Sequence, residues 1–419
     1  MFCLSLPPSH RYRLNNLFFA AITPGPFEPT VLQMNNTIGP LVAELQDLWE
    51  NGLFIPTFHV PEGRLIHVAL IAAVCDLPAI RKLIGYASHS AKFFCSFCYL
   101  TKNENQCLNY HSWKQRDSEG HRKESTAWRT SRTKAQRKDL FDSNGVRWSI
   151  LNELPYWDPT KMTVVEPMHC IAGILEWHTR KAWNLDIIAT TIKNSNSVIN
   201  TNVELNEEDY FDEDQYEMGN VDNADTKHSG CVDFFDLSAL QDILMEIDEI
   251  NEDVNEPEED NNINTLSTSD LLTIRAAISK VQLPSWLKRP PKNLGDPSAD
   301  WIKLFTTILP FAITELQGHK RSFLEAFVHL VKVTEIALDY QTSEKKIHVY
   351  YYHLVTYQCL VEELYPQLKP TPNHHMAFHL PEQLRNFGPA NHLSAWHFKQ
   401  INGILQKIPN NHKKRKLSL

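Results

Sequence analysis

The chain has 419 residues, 42% hydrophobic and 10% aromatic, enough apolar material for one large core or two to three domains. No run reaches the roughly 18 apolar residues of a membrane helix, and Met1–Pro8 has neither the charged start nor the apolar stretch of a secretory signal; the expectation is a soluble intracellular protein without a membrane partner. The net charge of −9 conceals an asymmetry, because residues 204–260 hold 22 Asp plus Glu and one Lys, leaving 40 Lys plus Arg against 28 Asp plus Glu elsewhere. A basic body with one acidic insert suits a polyanionic partner such as DNA.

In chain order, two short apolar strands are expected around Phe2–Leu6 and Leu17–Ile22, with Pro24-Gly25-Pro26 closing the second. A helical pattern runs from Glu28 through Val31, Ile38, Leu41, Leu45 and Leu48 until Gly52 stops it. Arg64–Cys75 is a continuous apolar run of the kind that forms a buried central strand, ending at Asp76 before a short helix, Ala79–Ile84. Residues 90–150 are basic and aromatic, with helical spacing from Ser125 to Phe141, and residues 150–186 read as apolar helix. Low hydrophobicity and high charge predict a disordered acidic insert at 196–265, in which Phe234–Leu244 carries a short amphipathic pattern. Helices are expected again at Leu271–Val281, Trp301–Gln317, Ser322–Gln341 and Ile347–Leu364, and the chain ends on Lys413-Lys414-Arg415-Lys416.

Four groups of residues invite a chemical reading. Asp76, at the end of an expected strand, suits an oxygen-seeking divalent cation, although Asp-Leu-Pro-Ala is equally a helix start. Of the eight cysteines, Cys95 and Cys98 form a C-x-x-C pair. Two such thiolates need two further ligands to close a zinc site, and His374 or His375 with His379 are the best partners; the alternative is two buried free thiols. Glu166 and His169 place an acid and a base three apart, as a candidate catalytic pair or a hydrogen-bonded structural one. His392, Trp396 and His397 offer base-stacking rings or plain core. No Gly-rich phosphate loop and no nucleophile elbow is present.

The segments ITPGPFEPT (22–30), CDLPAIRKLIGYASHSAKFFCSFC (75–98), GVRWSILNELPYWDPTKMTVVEPMHCIAGILEWH (145–178), LPSWLKRPPKNLG (283–295) and TPNHHMAFHLPEQLRNFGP (371–389) together resemble the CACTA (En/Spm-type) transposase family in its fungal form. The resemblance spans nearly the whole chain except the acidic insert. It implies an α/β fold, an RNase H-like core of the Asp-Asp-Glu (DDE) transposase kind, interrupted by a large mostly helical insertion, and cutting and rejoining of DNA with Mg or Mn. The Cys pair with the late histidines resembles the zinc staple of the related V(D)J recombinase core. Asp76 matches the family's second catalytic Asp, and Glu166 and His169 fall in its acid-x-x-His motif.

Two departures predict a defective enzyme. The strand bearing the family's first Asp lies upstream of the segment at which this sequence starts, so the core is expected to be incomplete. The family's catalytic Glu is replaced by Lys399 in Phe398-Lys399-Gln400-Ile401-Asn402, an ammonium where a metal needs an anion. The expected organisation is a partial RNase H-like core at 1–90, a basic zinc-associated insertion at 91–195, the acidic insert at 196–265, a helical insertion at 266–370, the His motif and a C-terminal core helix at 371–408, and a basic tail at 409–419. Phosphate contacts are expected from Lys92, Arg116, Arg122, Arg129, Arg132 and Arg137, nuclear import from the tail at 413–416, and protein partners from the acidic insert. The alternative is a non-enzymatic DNA-binding or protein-interaction remnant, or a pseudogene fragment.

Overall fold

Helix boundaries in the computed structural model follow the sequence's own start and stop signals, whereas its strands do not. The structure describes residues 1–21, 29–104, 108–183, 268–280, 321–395 and 398. Near the start, Phe2 and Leu17 form a single antiparallel bridge, and helix α1 (Pro8–Arg11) with a 3-10 turn (Leu14–Asn16) separates them. The two strands expected here therefore reduce to one bridge. Helix α2 (Val31–Glu50) opens on a capping box in which Thr30 and Gln33 satisfy each other's backbone amides, and Gly52 leaves it with φ 71°.

The apolar run at 64–75 departs most from expectation. Strand β2 (Val60–Ile66) takes only its first three residues and pairs antiparallel with β1 (Leu53–Thr57), Leu53 facing Ile66 and Thr57 facing Val60. A bulge falls between Ile55 and Thr57 at Pro56, which has no amide to donate. Beyond Ile66 the chain is irregular apart from a parallel bridge between Ala73 and Thr163. Phe58 at the hairpin tip is 94% exposed and Leu65 57%. A buried central strand needs neighbours on both edges and both faces; among the described residues β2 has β1 alone, so an apolar composition does not bring burial.

Helix α3 (Leu77–Ile84) is capped by Asp76 and closed by Gly85 at φ 78°, where a side chain would run into the Arg147 carbonyl. Helices α4 (Ser118–Thr130) and α5 (Lys134–Asn144) replace the single helix expected over 125–141, because Thr133 caps the Gln136 amide and restarts the chain. Then come α6 (Pro159–Met162), α7 (Pro167–Trp177) with a π turn over His178–Ala182, α8 (Thr268–Lys280), α9 (Arg321–Ala337), α10 (Glu344–Leu364), α11 (Pro372–Ala377) and α12 (Leu380–Phe387). No helix of the described residues is long and apolar enough to cross a membrane.

Two hydrophobic clusters organise these elements. One joins α2, α3 and the 146–157 segment through Val42, Leu45, Ile80, Ile84, Leu154 and Trp157. The larger joins α7, α9, α10 and α11 to the C-x-x-C loop through Ile171, Ile174, Phe327, Leu330, Tyr350 and Phe378, and it contains Cys95 and Cys98. The candidate site thus sits inside a core.

Candidate metal centre

The C-x-x-C loop is shaped by backbone contacts before any ligand is considered. Cys98 bridges antiparallel to Gln115, the Tyr99 amide donates to Lys114 O, and the Arg116 amide donates to Phe97 O. The Arg116 guanidinium closes the turn from below, its Nε donating to Cys95 O at 3.1 Å and Cys98 O at 3.2 Å. Both sulfurs are thereby turned inward, and the Phe97 amide lies 3.3 Å from Cys95 Sγ.

The other half comes from α11 and the turn that follows it. His375 lies on α11, and His379 lies in the turn leading into α12, where its amide donates to Met376 O and it caps the next helix. Their Nε2 atoms are 3.2 Å apart; Cys95 Sγ lies 3.4 Å from His379 Nε2 and Cys98 Sγ 3.4 Å from His375 Nε2. All four ligand atoms lie within 4.8 Å of one another and all four residues are buried. A tetrahedral zinc with bonds of about 2.0–2.3 Å has ligand–ligand edges of roughly 3.3–3.8 Å; the His–His edge and the two Cys–His edges, at 3.2–3.4 Å, come close to that. Trp113 stacks on His375 at 4.5 Å, Phe94 meets its edge, and Phe97 packs on His379, so the site is closed and apolar.

Electrostatics agree with cation binding. Burial opposes ionisation of Cys95, yet its contact with Cys98 and the His379 and His375 rings bring its pKa well below the usual thiol range. Contact with Cys95 and burial push Cys98 up. The metal-free pair therefore shares a proton that a divalent cation would expel. Burial lowers the pKa of His375, keeping its ring neutral and able to ligate. With four protein ligands no position is open for water or substrate, so the chemistry is that of a structural cross-link. It would join positions 277 and 284 residues apart in the chain.

His374 lies outside this group. Its Nδ1 accepts from the Thr371 amide at 3.1 Å, and its ring packs edge-on against Trp177 and stacks with Tyr357. Of the two histidines left open by the sequence, the structure brings in His375. Ring placement carries the distinction: His375 and His379 meet at the thiols, whereas His374 is turned to Thr371, Trp177 and Tyr357.

The carboxylates stand apart from one another in role. Asp76 is exposed and caps α3, accepting from Ala79 N at 2.8 Å. Glu166 is only 4% exposed and caps α7. One of its oxygens accepts from the Met168 and Ala395 amides, the other from the His169 amide and His169 Nδ1. A carboxylate has about four acceptor sites, and these are filled. His169 lines a small cleft with Cys75, Leu77, Thr163 and Asn373. Among the described residues, the grouping of three or more candidate metal ligands is the Cys/His set, which includes neither Asp76 nor Glu166. Lys399, Trp396, His397, the acidic insert with its Phe234–Leu244 pattern, the expected helix at 301–317 and the tail at 413–416 lie outside the described residues.

The six expected phosphate contacts separate by burial. Arg116 is 5% exposed, and beyond its contacts to the Cys loop it donates to Asn144 O and pairs with Glu124. Arg122 is half-buried and donates to the carbonyls of Asn152, Leu154, Pro155 and Trp157. These two arginines are taken up in holding turns together. Lys92, Arg129, Arg132 and Arg137 remain exposed.

Residues 1–144, about a third of the chain, match the model of the transposase family tnp2. No curated protein matches.

Proposed function

We propose that this chain is a transposon-derived, DNA-binding protein of the CACTA class, held together by a structural zinc and without the carboxylate set for strand cleavage. The observation that carries the reading is the conjunction of a tnp2-like first third with a buried Cys2His2 set that fastens this part to α11. Zinc would be held by Cys95, Cys98, His375 and His379, and what it supplies there is a cross-link between distant parts of the chain. Around it, Arg116 fixes the Cys loop and Trp113, Phe94 and Phe97 exclude water.

Loss of cleavage follows from electrostatics. Two-metal strand transfer needs several anionic oxygens around a pair of cations about 3.5–4 Å apart. Asp76 is taken up in capping α3, Glu166 is fully engaged by three backbone amides and the His169 ring, and Lys399 would repel a cation. An RNase H-like core and action in the nucleus are part of the same proposal. Two measurements test it. Elemental analysis of the purified chain should give one zinc per molecule, lost with Cys98→Ser. Incubation of plasmid DNA with the unmodified chain and Mg²⁺ or Mn²⁺ should leave it intact; nicking that depends on Asp76 would overturn the claim of inactivity.

A further inference from the structure

Removing Arg116 and Arg122 from the candidate DNA contacts leaves a better-defined basic surface at the turn between α4 and α5. From Ser125 to Lys138 the sequence contains no acidic residue, while Arg129, Arg132, Lys134, Arg137 and Lys138 are all solvent-exposed. Lys134, Arg137 and Lys138 stand at i, i+3 and i+4 on α5 and so share one face. Two of the arginines are held in place by tryptophans: the Arg129 guanidinium lies 4.1 Å from the Trp148 ring centroid and that of Arg137 5.1 Å from Trp128. Arg137 also donates to Arg129 O at 3.4 Å, tying the two helices at the turn. Carboxylates border the surface: Glu153, which pairs with Arg129 at 2.6 Å, and the exposed Asp139 and Asp142 further along α5.

We infer that this turn is the principal contact with the phosphate backbone of duplex DNA, engaged without base readout. The inference rests on the DNA-binding reading and gives it a location. Stacked arginines lose less side-chain freedom on meeting a phosphate than free ones, and the planar guanidinium still presents its edge donors while its face lies on the ring. The same stacking argues against single-stranded nucleic acid. Binding of unpaired bases uses open aromatic faces as platforms, whereas Trp128 and Trp148 are half-buried and each carries a guanidinium.

The test measures affinity of the full chain for a random-sequence duplex of about 30 base pairs across a salt series, since each phosphate contact adds roughly 0.9 to the slope of log affinity against log salt. The triple variant Arg132→Ala, Lys134→Ala, Arg137→Ala should lower that slope by about 2 to 3 and weaken binding at low salt at least tenfold. A control with the same charge change at exposed lysines elsewhere, Lys332→Ala, Lys345→Ala, Lys369→Ala, should keep the native slope. The double variant Arg132→Ala, Lys134→Ala spares the tryptophan-bound arginines and should lose about two units, which guards against misfolding of the triple. Unchanged slopes in the double and triple variants, with the unmodified chain binding, overturn the location alone. Equal losses in patch and control variants also overturn it, leaving only net charge. Absence of salt-dependent binding by the unmodified chain overturns the DNA reading and the location with it.

Discussion

At the scale of single residues, Glu166 separates a catalytic reading from an architectural one. Its two oxygens receive three backbone amides and one imidazole, from the α7 start and from Ala395. Replacing it with Ala would leave buried donors without acceptors, each worth about 1–3 kcal/mol when orphaned, and would remove a helix cap. Glu166→Ala is therefore expected to destabilise the fold by about 3 kcal/mol or more in urea unfolding. A residue kept only for catalysis would leave stability unchanged or improved. His178 gives a second test. It is fully buried beside Tyr357, its Nδ1 3.2 Å from the phenol oxygen, and burial lowers its pKa from 6.5 to about 3. The unfolded chain takes up a proton at this residue as pH falls below about 6.5, whereas the folded chain resists until about 3; stability is undiminished above that window and declines through it. Between pH 7 and pH 5 the residue should account for about 2 kcal/mol of lost stability. His178→Phe should show a correspondingly smaller shift in urea midpoint between those two pH values, and an identical shift would refute the assignment.

At the scale of elements, the centre depends on α7 and α11 lying close. Gly173 on α7 permits it: a Cβ there would collide with the Asn373 amide, and Asn373 in turn donates to His169 O while its own carbonyl meets Cys170 Sγ. Gly173→Ala should drive the Asn373 amide off His169 O and destabilise by about 1–3 kcal/mol, as overpacking generally does. Trimming the neighbour should recover part of the loss, so the double variant with Asn373→Ala should be more stable than the sum of the two single changes. What was legible in the sequence at this scale follows from the range of the interactions. Gly52 and Asp76 act within one turn of chain, so the end of α2 and the start of α3 were read locally, whereas the single helix expected over 150–186 is broken into a 3-10 turn, α6 and α7, the last restarted by the Glu166 cap. The thiol pair and late histidines were legible as chemistry because few other arrangements use them; the choice of His375 over His374 was not, because it depends on where α11 ends and the turn to His379 begins. The strands were not legible: apolar residues from Leu65 to Ile71 announce a preference for burial, but the pairing that would satisfy it is non-local. Nor could charge alone tell Arg116, locked on two cysteine carbonyls, from Arg132 in solvent.

At the scale of the molecule, the metal box is a link between parts that folding alone would have to bring together across more than 270 residues. Cross-links that close long loops remove much of the unfolded chain's freedom, and a structural zinc contributes its binding free energy directly to folding. The two hydrophobic clusters should therefore respond unequally to its loss. The larger cluster contains the two cysteines and the neighbours of both candidate histidine ligands, Trp113, Phe94 and Phe378, whereas the cluster of Val42, Ile80, Leu154 and Trp157 contains no candidate ligand. Without the cation, two sulfurs and two Nε2 atoms remain crowded in an apolar box, and the cheapest relief is for the segment carrying His375 and His379 to move away. Chelation by phenanthroline should accordingly raise amide hydrogen exchange in residues 94–100, α7 and α10–α12, with much smaller change in α2 and α3. Readdition of zinc should restore protection, and magnesium should not, since it prefers oxygen ligands. Uniform deprotection of both clusters would mean that they fold as one unit, and no change in either would mean that the Cys2His2 box holds its shape without a metal.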